Sequence, residues 1–156
     1  MVVSPDAGGI KMAHAYSQTL ESELAIVAKR RKSATEIEAL NVIGEVEGRE
    51  VIMVDDLTET AGTLCSAAKI LHERGATKII AGVSHAVLSE LAINRLKKSH
   101  VSELITTNSV PVRCEEEDCN IKVLCIAELL GEGIKRIHDD ESVSSLFEIN
   151  ESKEKH

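Results

Sequence analysis

The chain has 156 residues, 43% of them hydrophobic and 28% charged, and a net charge of -8. That length suits one domain with a sizeable core; no apolar run approaches a membrane span or a secretory h-region, which leaves the cytoplasm as the default compartment. The acidic balance argues against general nucleic-acid binding, and one Phe, one Tyr and no Trp leave little for bases to stack on.

In chain order, Val2-Val3-Ser4 reads as the end of a strand, followed by the turn Pro5-Asp6-Ala7-Gly8-Gly9 and a helix over residues 10–20. Residues 24–28 form a short strand, after which Lys29-Arg30-Arg31-Lys32 opens a polar, loop-like stretch reaching about Ala39. Residues 42–46 and 50–54 are separated by Glu47-Gly48-Arg49, short enough for a hairpin, which would place an antiparallel pair at 42–54. The run Val51-Ile52-Met53-Val54 suits a strand covered on both faces, and residues 64–71 show helical spacing ended by Gly75.

Further strands are expected at 78–83, 103–106 and 121–125, and helices at 88–96 and 127–138. This alternation predicts an α/β fold, a mainly parallel twisted sheet flanked by helices, with ligands at the strands' carboxyl ends. Residues 1–147 read as one domain and 148–156 as a charged tail too poor in apolar residues to order itself. Of the four cysteines, Cys65 and Cys125 read as small core residues, and Cys114 and Cys119 flank an acidic loop; no Cys-x-x-Cys pair exists, so zinc is not expected.

The chemistry concentrates in two loops. Between the strand ending at Val54 and the helix after it come Asp55, Asp56, Leu57, Thr58, Glu59, Thr60, Ala61, Gly62 and Thr63. Thr60 to Thr63 can offer backbone N–H groups and two hydroxyls to a phosphate at a helix amino end. The carboxylates of Asp55 and Asp56 repel a phosphate but can accept from ribose hydroxyls or from water around a magnesium ion. The plainer alternative is a strand-turn-helix whose Asp and Thr residues merely cap the helix.

The other loop, Asp6-Ala7-Gly8-Gly9, lets backbone approach an anion while Asp6 can hold a metal, although Pro-Asp-x-Gly is also a common turn. It is no Walker loop, since Met12 follows Gly9-Ile10-Lys11. Lys29, Arg30 and Arg31 would ordinarily be a solvated basic run, but their place at the same rim suits cations brought to an oligophosphate. His85 reads equally as a ligand contact or a hydrogen-bonded structural residue and receives no role.

The segments SPDAGG, AKRRK, GEVEGREVIMVDD, TETAGT, GVSHAVL, ITTNSVP and ESVSSLF together resemble, in order, the carboxyl-terminal half of ribose-phosphate pyrophosphokinases, over residues 2–147. VIMVDDLTETAGT alone also resembles the phosphoribosyl pyrophosphate motif of type I phosphoribosyltransferases, whose fold the resemblance implies. The implied reaction moves a diphosphoryl group from ATP to the anomeric hydroxyl of ribose 5-phosphate, giving phosphoribosyl pyrophosphate and AMP. Asp55 and Asp56 would bind the ribose hydroxyls, and Thr60, Ala61, Gly62 and Thr63 the 5-phosphate. Asp6, Ala7, Gly8 and Gly9 would form the pyrophosphate loop, with Asp6 ligating Mg2+. Lys29 and Arg31 would be the catalytic cations.

Ser142, Val143, Ser144 and Phe147 match a segment that contributes to an allosteric phosphate or ADP site in some members, or else packs against a neighbouring subunit. Glu59 stands where the family usually has Asp, one methylene longer at a sugar-contacting position. The resemblance further implies a homo-oligomer in the full-length form, and ATP held mainly by an amino-terminal half that this chain lacks, so that the chain alone would turn over poorly. Two alternatives stand beside it: a phosphoribosyltransferase consuming phosphoribosyl pyrophosphate, for which no base-recognising hood is found, and a non-catalytic regulatory subunit, against which the loop cations argue.

Overall fold

Among the described residues, seven strands form one sheet in the order β3-β2-β1-β4-β5-β6-β7. The structure, a computed structural model, describes residues 1–30, 39–112 and 120–147. Arg31, Cys114, Cys119 and the tail 148–156 lie outside the described residues. Two compact units are present, Met1–Leu124 and Cys125–His156.

In chain order, the first unit contains β1 (Val2–Ser4), α1 (Ile10–Thr19), β2 (Leu24–Arg30), β3 (Ala39–Ile43), β4 (Glu50–Thr58), α2 (Gly62–Glu73), β5 (Lys78–Ala86), α3 (Glu90–Lys97), β6 (Glu103–Thr107) and β7 (Ile121–Leu124). All neighbouring strands run parallel except β2 and β3. The apolar run in β4 serves both faces, as a two-residue side-chain period demands. Val51 and Met53 enter the larger core with Val3, Val27, Ile79, Ala81, Leu104 and the buried stripe Leu64, Ala67, Ala68 and Leu71 of α2. Val54, with Ile52 packed against the group, joins Val2 and Ala13 of α1 on the opposite face. A stripe at i, i+3, i+4 and i+7 is what fixes a helix on a sheet.

The antiparallel strand predicted at 42–54 is present but differently paired. Residues 42–46 do not form a hairpin with 50–54: β3 pairs with β2, Val42 opposite Val27, and two strands separate it from β4. Gly44 ends β3 at φ +114°, and a β-carbon there would stand 2.8 Å from that of Ala25. The chain then crosses over the sheet, burying Val46 in the larger core before Arg49 and Glu50. A short Gly-containing spacer therefore spans a crossover here instead of a tight turn.

Several boundaries also move. β2 continues through Arg30, so Lys29 and Arg30 lie in strand and not at the opening of the polar stretch. β5 continues to Ala86, which puts Ser84 and His85 within the strand. Helix α2 ends where expected: Gly75 adopts φ +88°, and Ala76 N donates to Leu71 O at 3.0 Å in a Schellman-type closure. Cys65 is half-buried against the core, but Cys125 is exposed, contrary to its expected core role.

In the second unit, α4 (Ala127–His138) is followed by a 3-10 turn, Ser144–Leu146. Arg136 ties them: its Nε donates to Glu132 Oε1 at 2.8 Å, and its Nη1 to Ser142 O at 3.1 Å and to Ser145 Oγ.

Candidate functional site

Both predicted loops leave the carboxyl edge of the sheet from adjacent strands, because β1 and β4 pair in parallel with Val3 opposite Met53. β1 ends at Ser4, whose buried hydroxyl donates to Asp6 O at 2.7 Å and sets the turn. Asp6 Oδ1 then accepts from Gly8 N at 2.8 Å and from Gly9 N at 3.2 Å, an Asx-type turn that delivers the chain into α1. The two amides expected to meet an anion are thus engaged by Asp6 itself.

Past Thr58 the chain bends through Glu59 and Thr60 to Ala61, which is buried and left-handed at φ 53° and ψ 15°. That conformation costs a non-glycine residue about 1–2 kcal/mol, so its surroundings must impose it. Ala61 is the N-cap of α2 and supplies no side-chain cap. The first bond into the helix runs from Cys65 N to Ala61 O at 2.9 Å. The amides of Gly62, Thr63 and Leu64 precede that bond, and such first-turn N–H groups need acceptors from outside the helix. Together with the helix dipole they favour an anion.

A cavity of about 400 Å³ joins the loops, lined by Pro5, Asp6, Gly62, Thr63 and Ser66 together with Val27 and Leu40. That size lies within the range of small-molecule sites. Sequence reasoning missed Val27, Leu40 and Ser66. The first two look like core residues, and Ser66, one helical turn beyond Gly62, could have been found from its spacing.

Asp55 and Asp56 extend β4 past its apolar run, Asp55 half-buried and Asp56 exposed. Burial pushes the Asp55 carboxyl above the usual aspartate range; the Asp56 amide, donating to Asp55 Oδ1 at 3.0 Å, opposes this, and the charges of Asp56 and Asp6 add to it. The charge of Asp6 is among the causes acting on Asp55, so carboxylates from the two adjacent strands influence one another. Among the described residues no group of three or more His, Cys, Asp or Glu is arranged to hold a metal.

Lys29 pairs with Leu40 at the end of β2, and Leu40 lines the cavity, which places the Lys29 backbone beside it. His85 Nδ1 lies 2.7 Å from Ser109 Oγ, a structural tie between the ends of β5 and β6. Ser142, Val143, Ser144 and Phe147 belong to the second unit, where Phe147 is 83% exposed and Ser144 N donates to Ser142 Oγ at 3.2 Å.

Three known proteins are similar to this chain. The ribose-phosphate pyrophosphokinase of Bordetella pertussis is 49% identical over 148 residues, 94% of this chain and 48% of that one. The crystal structure of phosphoribosylpyrophosphate synthetase from Mycobacterium smegmatis superposes with a TM-score of 0.79 at 34% identity, over 89% of this chain and 45% of that one. Orotate phosphoribosyltransferase from Aeropyrum pernix shares the fold, with a TM-score of 0.54 at 18% identity over 86% of this chain and 64% of that one. The sheet is therefore that of the type I phosphoribosyltransferases. The chain spans about half the length of the curated relatives it matches. The profile of the phosphoribosyl synthetase-associated domain matches residues 14–148, most of the sequence, and the chain belongs to that family.

Proposed function

We propose that this chain is the half of a ribose-phosphate diphosphokinase that holds ribose 5-phosphate and the diphosphate being transferred, within a domain spanning 1–147. The observation that carries this reading is the cavity lined by Asp6 and by the uncapped helix start at Gly62 and Thr63, with Asp55 near enough for the charge of Asp6 to act on it.

The 5-phosphate takes the amides of Gly62 and Thr63 and the hydroxyls of Thr60 and Thr63. Asp55 and Asp56 accept from the ribose hydroxyls and orient the sugar so that its anomeric oxygen faces the β-phosphorus of ATP. That oxygen bonds to the β-phosphorus, the bond from the β-phosphorus to the bridging oxygen of AMP breaks, and the hydroxyl proton passes to solvent. Positioning and charge neutralisation suffice, without a covalent intermediate. Lys29 and Arg31 supply positive charge to the transferred group and the leaving AMP.

The donor set fits magnesium as an ion shared with substrate. Asp6 Oδ1 is occupied by two amides, and the Asp6 carboxylate would be the group that holds the cation. Bound there, magnesium would neutralise charge on the diphosphate. ATP and a further set of contacts are expected from sequence outside this chain.

The test is titration calorimetry with ribose 5-phosphate, ribose and inorganic phosphate. Ribose 5-phosphate is expected to bind far more tightly than either part, and AMP to form slowly at best when ATP and magnesium are added. Absence of binding removes the reading, and pyrophosphate release from phosphoribosyl pyrophosphate in the presence of a nucleobase replaces it with a phosphoribosyltransferase.

A further inference from the structure

Three consecutive carbonyls, those of Thr58, Glu59 and Thr60, are tied by the connection from β5 into α3 and by α3 itself. Thr58 O accepts from Val87 N at 2.9 Å, Glu59 O from Ser89 N at 3.3 Å and Ser89 Oγ at 3.3 Å, and Thr60 O from Arg95 Nη1 at 3.1 Å. Ser89 also caps α3, its Oγ accepting from Ala92 N at 3.3 Å, so the segment is itself anchored.

A trans peptide holds its C=O and N–H in opposite directions. Fixing Thr60 O on the α3 side therefore turns the N–H of Ala61 to the other side. Arg95 is the outermost of these ties. It acts on the peptide that enters the left-handed Ala61, and its Nη1 would stand 3.3 Å from a β-carbon on Gly62.

We infer that Arg95 is a positioning residue for the phosphate loop: by holding Thr60 O it keeps Ala61 left-handed and the amides of Ala61, Gly62 and Thr63 directed at one anion. This rests on the 5-phosphate reading of that loop and adds a determinant that lies 35 residues away in sequence. The guanidinium acts through the backbone and does not touch the phosphate.

Arg95→Met keeps the length and removes the donor. It is expected to weaken ribose 5-phosphate binding roughly five- to tenfold and to displace the amide resonances of Ala61, Gly62 and Thr63 in the free chain, whereas Arg95→Lys, which restores a donor, returns most of the affinity. Unchanged affinity with unchanged loop resonances in Arg95→Met overturns the assignment. A measurement on the unaltered chain stands even where Arg95→Met does not fold: the Arg95 guanidinium resonances should stay in place as inorganic phosphate is titrated, and movement in step with bound phosphate would show direct contact and overturn the positioning role. Failure of the unaltered chain to bind ribose 5-phosphate removes the phosphate reading, while the loop resonances of Arg95→Met still test the clamp.

Discussion

Asp6 lies just past the carboxyl end of β1 and Asp55 within its parallel neighbour β4, and the charge of Asp6 adds to the cost of ionising Asp55. With burial as the larger cause, the native protein holds the Asp55 proton to higher pH than the unfolded chain does. Stability from this group is complete below the ordinary aspartate range and is lost as pH rises through the elevated native value. Asp55→Asn, which can still accept from the Asp56 amide, is therefore expected to melt higher than the parent at pH 7. The difference should close as pH falls into the ordinary aspartate range, and thermal unfolding across a pH series checks it.

The phosphate loop gives a second expectation. Thr63→Val removes one hydroxyl at nearly constant volume from the cavity that Thr63 lines together with Asp6. A lost hydrogen bond to a charged ligand costs about 1.5–3 kcal/mol. Ribose 5-phosphate affinity should fall about tenfold or more while the melting temperature barely moves, as read by calorimetry and thermal unfolding.

Gly44→Ala probes the crossover that replaced the expected hairpin. The new β-carbon would lie 2.8 Å from Ala25 Cβ and 3.1 Å from Ala25 Cα, at a φ of +114°. Backbone strain and overpacking together are expected to cost roughly 3 kcal/mol. Denaturant unfolding should show a lower midpoint with an unchanged slope.

Leu71→Ala empties a fully buried position where α2 meets the sheet. A loss of about 2–5 kcal/mol is expected from transfer and cavity terms, again measured by denaturant unfolding.

In the second unit, Arg136→Ala releases Ser142 O and Ser145 Oγ together. Faster amide exchange through residues 144–147 is the expected result, read by hydrogen-exchange mass spectrometry.

The sheet's strands and helices were largely legible because apolar periodicity reports which side chains are buried. Both loops were legible because a Gly-rich or Thr-rich turn after an apolar run marks a strand's carboxyl end. The partner of β3 was not, since the Glu47-Gly48-Arg49 spacing fits a hairpin equally well, and the crossover shows only in the long-range pairing of β3 with β2 and the tight passage of Gly44 over Ala25. Leu40 and Arg95 were illegible for a related reason. One is an ordinary apolar residue and the other an ordinary helical cation, and each reaches the site only through distant pairing, Leu40 by its place opposite Lys29 and Arg95 by its bond to Thr60.

Strand β1 is the first in sequence but lies inside the sheet, with β2 and β3 on one side and β4 to β7 on the other. Its partner in β4 lies 50 residues ahead, Val2 opposite Ile52. The Asp6 turn therefore meets the Gly62 helix start only after long-range pairing is complete, a slow, high-contact-order step. Local helix formation alone cannot preassemble such a pocket. A ligand bridging the two loops would bind the closed sheet and not its partly paired precursors, so occupancy would report on, and reinforce, global folding by mass action.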